Sequence, residues 1–471
     1  MTRHVGADVV VVGSGAGGGT VAGELARAGA RVVVVEAGPA LTEPPGGHAQ
    51  NRDTTEAGLP AFARFLEETM TPPSGAPVAP SSLPGLLVIH AVGGMLTGWT
   101  HNCPSPDASE LPDWMPAEKW APLLGRARQL LGVRDDLWNG NDRFQQILDR
   151  VDRLTGPLPR GREAAPMPVA VQPTDTGLRW TGADDLLVGA WADCLEILSG
   201  HVVRKVLHEG SRVQGVVAFP ATGGEAVTIS ADAVVLAGGT IGTAQLVAAS
   251  GLDAGPAFGR YLMEHVTIAS RVLLQEDLRE ADNGGDTAFG GLGIWIPVSL
   301  RHPWHSQLVR HPIDYSGTVP EGFAADDTVD VLAMCAVTPD PDNALSFDHE
   351  HLDPFGLPSV DGRIELSARD EQIVALALAE QFQLSAAVGD VRGRWASTVL
   401  PRGSSTHVMG SCRMGVADDG TSVVSADGGL WRYENCFVAG NAVFASANAS
   451  NPTLTTVALA LRCADRIGEL S

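Results

Sequence analysis

The run Asp8-Val9-Val10-Val11-Val12-Gly13-Ser14-Gly15-Ala16-Gly17-Gly18, a short helical stretch, and then Arg31-Val32-Val33-Val34-Val35-Glu36 gather residues suited to holding a dinucleotide. Gly13 permits a tight turn out of a strand, Gly15 lets the backbone approach a pyrophosphate, and Gly18 lets the next helix pack closely on the sheet. The helix start then offers free N–H groups and partial positive charge to the phosphates. Glu36 follows the turn by about 20 residues, where a carboxylate meets ribose hydroxyls. The place of this unit at the start of the chain points to FAD, with a nicotinamide domain as the rival. The plain alternative is an α/β turn in which small residues merely permit packing.

A second group of polar residues stands far along the chain, in Ser404-Ser405-Thr406-His407-Val408-Met409-Gly410-Ser411-Cys412-Arg413-Met414-Gly415 and in Asn448-Ala449-Ser450-Asn451-Pro452-Thr453-Leu454-Thr455. Asn451 as N-cap and Pro452 at the first helical position specify a helix start, with the helix running to about Ile467. Such a helix end, aimed at the pyrimidine edge of a flavin, would stabilise negative charge on the reduced ring. An ordinary capped helix accounts for the segment equally well.

The elements that must position these groups are those of an α/β protein. The first unit is strand, helix, strand. Residues 39–85 are rich in Pro and Gly, with one short helix around Ala61–Met70. Residues 117–155 carry helical spacing (Trp120, Leu123, Leu124, Ala127, Leu130, Leu131). Val202–Leu207 and Val213–Val217 read as strands, and Ala231–Gly239 as a buried strand ending in a glycine turn, with a helix over Ile241–Ser250. Between residues 271 and 400 the pattern changes to alternating strands and one long apolar helix around Asp370–Val388. The expected organisation is a nucleotide-binding domain from residues 1–270 and 400–471, with a second domain, 271–399, inserted into it.

Composition bounds the rest. A chain of 471 residues, 44% hydrophobic and 18% charged, is globular and long enough for two domains. The formal net charge of −23 repels phosphate backbones and anionic lipid, which argues against nucleic-acid and membrane-surface partners. Lys119 and Lys205 are the only lysines, a habit of composition rather than chemistry. Cys103, Cys194, Cys335, Cys412, Cys436 and Cys463 are scattered without a CxxC pair, which predicts reduced, mostly buried thiols. The first strand begins almost at once, leaving no room for a secretory signal, and no apolar run is of membrane-spanning length, so the cytoplasm is the expectation.

Five motifs in order make a resemblance. The glycine turn, Gly93-Gly94, the connector Gly259-Arg260-Tyr261-Leu262-Met263-Glu264-His265, the His407 motif and Asn451-Pro452-Thr453 together resemble the glucose-methanol-choline (GMC) flavin oxidoreductases over nearly the whole chain. Within them the chain is most similar to the pyranose oxidase-like sugar oxidases and their bacterial members that oxidise glycosides at C2 or C3. Three stretches carry this: Val92–Met95 with Thr97–Thr100, His302–Tyr315, and Asp353–Pro358.

The resemblance implies an FAD-binding Rossmann-like domain with an inserted α+β substrate domain on an antiparallel or mixed sheet. It implies His407 as the active-site base and Asn451 as its partner. It implies FAD contacts from Gly13, Gly15, Gly18, Glu36, Thr100, His101, Asn102, Val203, Gly440, Asn441, Pro452 and Thr453, with Thr100 near flavin N5, and a sugar-facing loop with Gln307, Arg310 and Tyr315. A neutral imidazole suits removal of a hydroxyl proton, and a carboxamide orients the oxygen without competing for that proton. Family members that tether the flavin do so through a histidine just before the tryptophan; Gly98 stands there here, so the FAD is expected to be non-covalent. The chain is also shorter, which predicts a monomer or small homo-oligomer. His302, His305 and His311 lack metal-ligand spacing, and no metal is expected. The electron acceptor is oxygen or another acceptor. Two other functions fit the residues: a dehydrogenase of a non-sugar alcohol that passes electrons to a quinone or protein, and a flavoprotein that binds FAD without turnover.

Overall fold

A computed structural model describes residues 3–51, 70–71, 83–86, 88–138, 140–155, 162–175, 177–187, 192–281, 292–310, 322–391, 397–446 and 448–470. The first unit forms as expected: β1 (Arg3–Val12), α1 (Ala16–Arg27) and β2 (Val32–Val35). Valine dominates because β1 and β2 are covered on both faces. Val10, Val33 and Val35 face one core cluster, while Val9, Val11, Val32 and Val34 face another.

Four more strands extend this sheet: β3 (Leu195–Leu198), β4 (His201–Glu209), β5 (Arg212–Pro220) and β6 (Val227–Leu236). A further strand, Cys436–Val438, comes from the far end of the chain and is named β13 below. The order is β4-β5-β6-β1-β2-β3. β6 lies parallel to β1 along its length; on its other edge β5 takes the first half, at Val227–Ser230, and β13 the second, at Val234–Leu236. The tail of the chain thus completes the sheet begun by its head. Helix α2 (Ala117–Leu131) and the C-terminal helix Thr453–Gly468, named α6, pack beside α1. Helix α3 covers Asp142–Thr155, and α4 (Gly239–Ser250) follows β6.

The second sheet is antiparallel. It contains β7 (His265–Leu274), β8 (Gly293–Ile296), β9 (Trp304–Val309) and β10 (Thr328–Ala336), in the order β7-β10-β9-β8. Short segments Ala165–Pro166, Gly389–Asp390 and Thr398–Val399 border it. β7 straddles residue 270 and lies wholly in this sheet. A hairpin, β11 (Ala344–Leu352) and β12 (Pro358–Arg363), stands apart, and α5 (Ala368–Val388) packs on β7 and β10. Ser367 and Asp370 form a reciprocal capping box at the start of α5.

The expected helix around Ala61–Met70 falls almost entirely outside the described residues. All six cysteines are free; five are buried and Cys194 is partly so. Among the described residues no helix is long and apolar enough to cross a membrane.

Candidate active site

The glycine turn shows why each small residue is there. Gly13 has φ +102°, and a Cβ on it would lie 2.4 Å from the Ala237 carbonyl oxygen. A Cβ on Gly18 would lie 2.0 Å from the Gly13 oxygen, and one on Gly17 2.7 Å from the Gly440 Cα. Gly15 differs: a Cβ there meets nothing closer than the Gly93 oxygen, 4.0 Å away. Packing does not demand a glycine at Gly15, so the space in front of it is left for something else. The start of α1 has no side-chain cap and no acid in its first turn, so its N–H groups face that space uncompensated. A pyrophosphate fits this cradle.

Glu36 is buried, and its carboxylate is already engaged. It accepts hydrogen bonds from Ser14 N (3.0 Å), Ser14 Oγ (2.7 Å) and Gly38 N (2.9 Å). Burial raises its pKa, while these bonds oppose the rise. A ribose would add to a network in place rather than meet a bare carboxylate. Ser14 Oγ also accepts from Gly93 N at 2.8 Å, which ties the glycine turn to the 93–102 segment.

In that segment Gly93 and Gly94 have φ of +97° and +51°. Trp99 Nε1 donates to the Thr181 oxygen (2.8 Å). His101, at φ +62°, is buried against the rings of His48, Trp99 and Trp180, with Nε2 3.2 Å from the Thr181 oxygen. Burial, reinforced by His48, holds its pKa well below the usual value, so the ring is neutral. A left-handed backbone at a non-glycine residue is a strained state that its surroundings must enforce. Thr100, half-buried, stands between these two fixed residues. Val203 lies inside β4, where the ladder with β5 shifts register between Val203 and Lys205.

The His407 segment is held from two sides. Met263 and Met409 exchange backbone bonds of 2.9 and 2.8 Å, so the Gly259–His265 connector runs antiparallel beside it. On the other side Gly410 N donates to the Asn441 oxygen (3.0 Å) and Cys412 N to the Ala442 oxygen (2.9 Å). Asn441 Oδ1 in turn accepts from Thr456 Oγ1 in α6. The expected FAD residues Gly440 and Asn441 therefore link the His407 segment to the helix that Asn451, Pro452 and Thr453 open. Pro452 has helical φ and ψ (−81°, −10°), and Thr456 N donates to its oxygen at 2.8 Å. Asn451 does not cap that helix with its side chain, contrary to the sequence expectation: its Oδ1 is buried without a partner among the described residues.

His407 Nδ1 is likewise enclosed without a partner among the described residues. Its ring is partly exposed, yet the protein around it lowers its pKa to about 4. It stands neutral at ordinary pH, able to accept a proton. His265 meets it edge-on, with ring centroids 4.9 Å apart. His305, on β9, is close enough for its charge to couple with that of His407, and burial lowers its pKa to about 3.

Gln307 is buried on β9, where it accepts from Asn102 Nδ2 at 2.9 Å and donates to Met334 Sδ at 3.6 Å. An expected substrate residue thus touches an expected cofactor residue, linking the 93–102 segment to the second sheet. Arg310, at the end of β9, is ion-paired with Asp326. Tyr315 and His311 lie outside the described residues.

Sequence reasoning missed three carboxylates around this site. Glu110 is buried and accepts from Ala449 N (2.6 Å), Ser450 N (2.8 Å) and Ser450 Oγ (2.8 Å), which clamps the chain just before Asn451. Glu264 is buried beneath the loop leading to His407. Glu380 pairs with the fully buried Arg162 (2.9 Å) behind β9 and accepts from Trp304 Nε1 (2.9 Å). Only Glu264 sits in a motif visible in the sequence; the other two are single acids in helices.

An open glycine cradle at a helix start, joined to an enclosed imidazole and carboxamide from the chain's tail, defines a dinucleotide-binding oxidoreductase. The GMC oxidoreductase family matches residues 115–267 and 339–460, and an FAD-binding domain matches residues 8–47. The chain is 32% identical to the C-glycoside 3-oxidase of Arthrobacter globiformis over 98% of this chain and 95% of the relative. It is 26% identical to the pyranose 2-oxidase of Tricholoma matsutake over 82% and 74% of the two. A formate oxidase structure from Aspergillus oryzae RIB40 superposes with a TM-score of 0.72 at 15% identity, covering 100% of this chain and 99% of the other, which establishes the shared fold. The chain belongs to the GMC oxidoreductase family and is an FAD-dependent enzyme.

Proposed function

We propose that this enzyme oxidises a secondary ring hydroxyl, at C2 or C3, of a sugar or glycoside to a ketone. The observation that carries this reading is the identity to a C-glycoside 3-oxidase along nearly the whole of both chains. The neutral His407 ring, whose Nδ1 has no partner among the described residues, supports it, because a reacting hydroxyl has one proton to give to such an imidazole.

His407, neutral, takes the hydroxyl proton. Asn451 holds the reacting oxygen and keeps the hydroxyl turned towards the imidazole. FAD, when bound, supplies the hydride acceptor. Gly15 and the start of α1 would hold its pyrophosphate, Glu36 its ribose and Thr100 to Asn102 its ring, with Val203 a further contact. Asn102 passes its orientation to Gln307 on the substrate side, and Arg310 and Tyr315 belong to the sugar-facing loop. In this reading the first sheet with residues 1–270 and 400–471 carries the cofactor, and 271–399 carry the substrate surface. The FAD is non-covalent, since Gly98 offers no attachment atom. The enzyme works in the cytoplasm, away from membranes, as a monomer or small homo-oligomer, and returns its electrons to oxygen or another acceptor.

Anaerobic mixing of the FAD-loaded protein with D-glucose, an aryl C-glucoside and a primary aliphatic alcohol tests the proposal. Bleaching of the flavin by a sugar or glycoside, with a ring ketone as product, is the expected result. Bleaching by the aliphatic alcohol alone overturns it.

A further inference from the structure

The connector that precedes β7 ends in Glu264 and His265, and both reach the His407 loop. Glu264 is buried, and its Oε2 accepts from Gly403 N at 2.7 Å and from Ser405 Oγ at 3.3 Å. Ser405 Oγ in turn accepts from His407 N at 3.1 Å. Between them Thr406 is held at φ +56°, a backbone state that a side-chain-bearing residue adopts only when its neighbours fix it. His265 closes the other side of the His407 ring. We propose that Glu264 is a positioning residue for His407, acting through Ser405 to hold the strained loop that aims the imidazole. This rests on the reading of His407 as the base.

The choice of a carboxylate has a consequence. Burial lifts the pKa of Glu264 to about 7, against the opposing pull of Gly403, Ser405 and the nearby Arg402. The titratable groups around it are Arg402 on the loop, His265 next in the chain, and His407 beyond Ser405. Once ionised, Glu264 receives charge-assisted bonds, which are shorter and stronger. His407 is therefore held more firmly above that pH than below it.

Both bonds end on one oxygen, so Glu264→Gln can keep the two acceptor contacts while losing the charge. In wild type, the rate of flavin reduction by a glycoside should rise through a step near pH 7, separate from the His407 step near pH 4. Glu264→Gln should lose the upper step and keep the lower. Glu264→Ala, which removes the bonds, should lower the saturated rate by about tenfold or more with the half-saturating concentration little changed. A second readout needs no substrate. In the FAD-loaded protein, the His407 ring proton signals, identified by their loss in His407→Ala, should shift through pH 7 in wild type and not in Glu264→Gln. A step near pH 7 that persists in Glu264→Gln, or variants that lose thermal stability alone, overturns the proposal. If no substrate reduces wild-type flavin, the base reading fails, and the ring signals still decide the role of Glu264.

Discussion

His407 gains its character from enclosure. With Nδ1 lacking a partner among the described residues and the ring kept neutral, the side chain is free to accept a proton. Replacing it by Ala should leave FAD bound and slow flavin reduction by about 10²- to 10⁴-fold, the usual worth of a general base. Rapid-mixing absorbance measurements check this, and a near-normal rate rejects the role. The same enclosure has a price in acid. His48, His265, His305 and His407 all have folded pKa values below the usual 6.5, chiefly through burial. The unfolded chain therefore binds protons that the folded chain refuses. Stability from these groups is complete above about pH 6.5 and is lost as pH falls, for His48, His305 and His407 towards folded values near 3 to 4. Melting temperatures across pH 4–7 should fall steadily on acidification, and replacing His305 by Gln should flatten the fall. His407 is one of 13 histidines, and no spacing rule singles it out; the run of motifs around it does. His265 was visible as the last residue of a motif, but its ring contact joins segments remote in sequence, which no local pattern encodes.

At the scale of elements, the order strand, helix, strand of the β1–α1–β2 unit was legible, because glycine at a tight turn and unbroken valine strands leave few alternatives, although β1 starts at Arg3, before the valine run. What the unit could not reveal is that Gly17 packs on Gly440, since that contact depends on β13 returning from the far end of the chain. The glycines separate by role in a way that substitution tests. Gly18→Ala drives a Cβ into the Gly13 oxygen and should destabilise the fold by about 3 kcal/mol or more. Gly15→Ala meets only open space, so apoprotein melting should be nearly unchanged while FAD affinity drops. Calorimetry of the apoprotein and FAD titration distinguish the two, and a Gly15→Ala variant with full FAD affinity would contradict the cradle. The helix opened by Pro452 was expected and is present; the side-chain cap was not found. Asn451 forgoes the bond that local propensity favours, and Glu110 secures the preceding turn instead. A residue kept away from its best local use is one whose side chain serves something else.

At the scale of the whole molecule, the sequence pattern changes near residue 271, while the antiparallel sheet takes its first long strand from His265 onward and also pairs with Ala165–Pro166. The bond from Asn102 to Gln307 was not legible, since two buried amides become partners only once the 93–102 segment and the second sheet are in place. Acid precipitation of the purified protein tests how the cofactor is retained: yellow colour should stay in the supernatant, and a coloured pellet would show a covalent tether. β13 and α6 follow the whole antiparallel sheet in sequence, yet they seal the half that begins the chain. On a ribosome, β1 to β6 can pair once Leu236 has emerged, while one edge of β6 beyond β5 stays bare until nearly all the rest has followed. The antiparallel sheet draws its main strands from one continuous stretch and can form before that edge is covered. The last part of the chain thus completes the cradle that the first part opens, where Gly440 packs against Gly17.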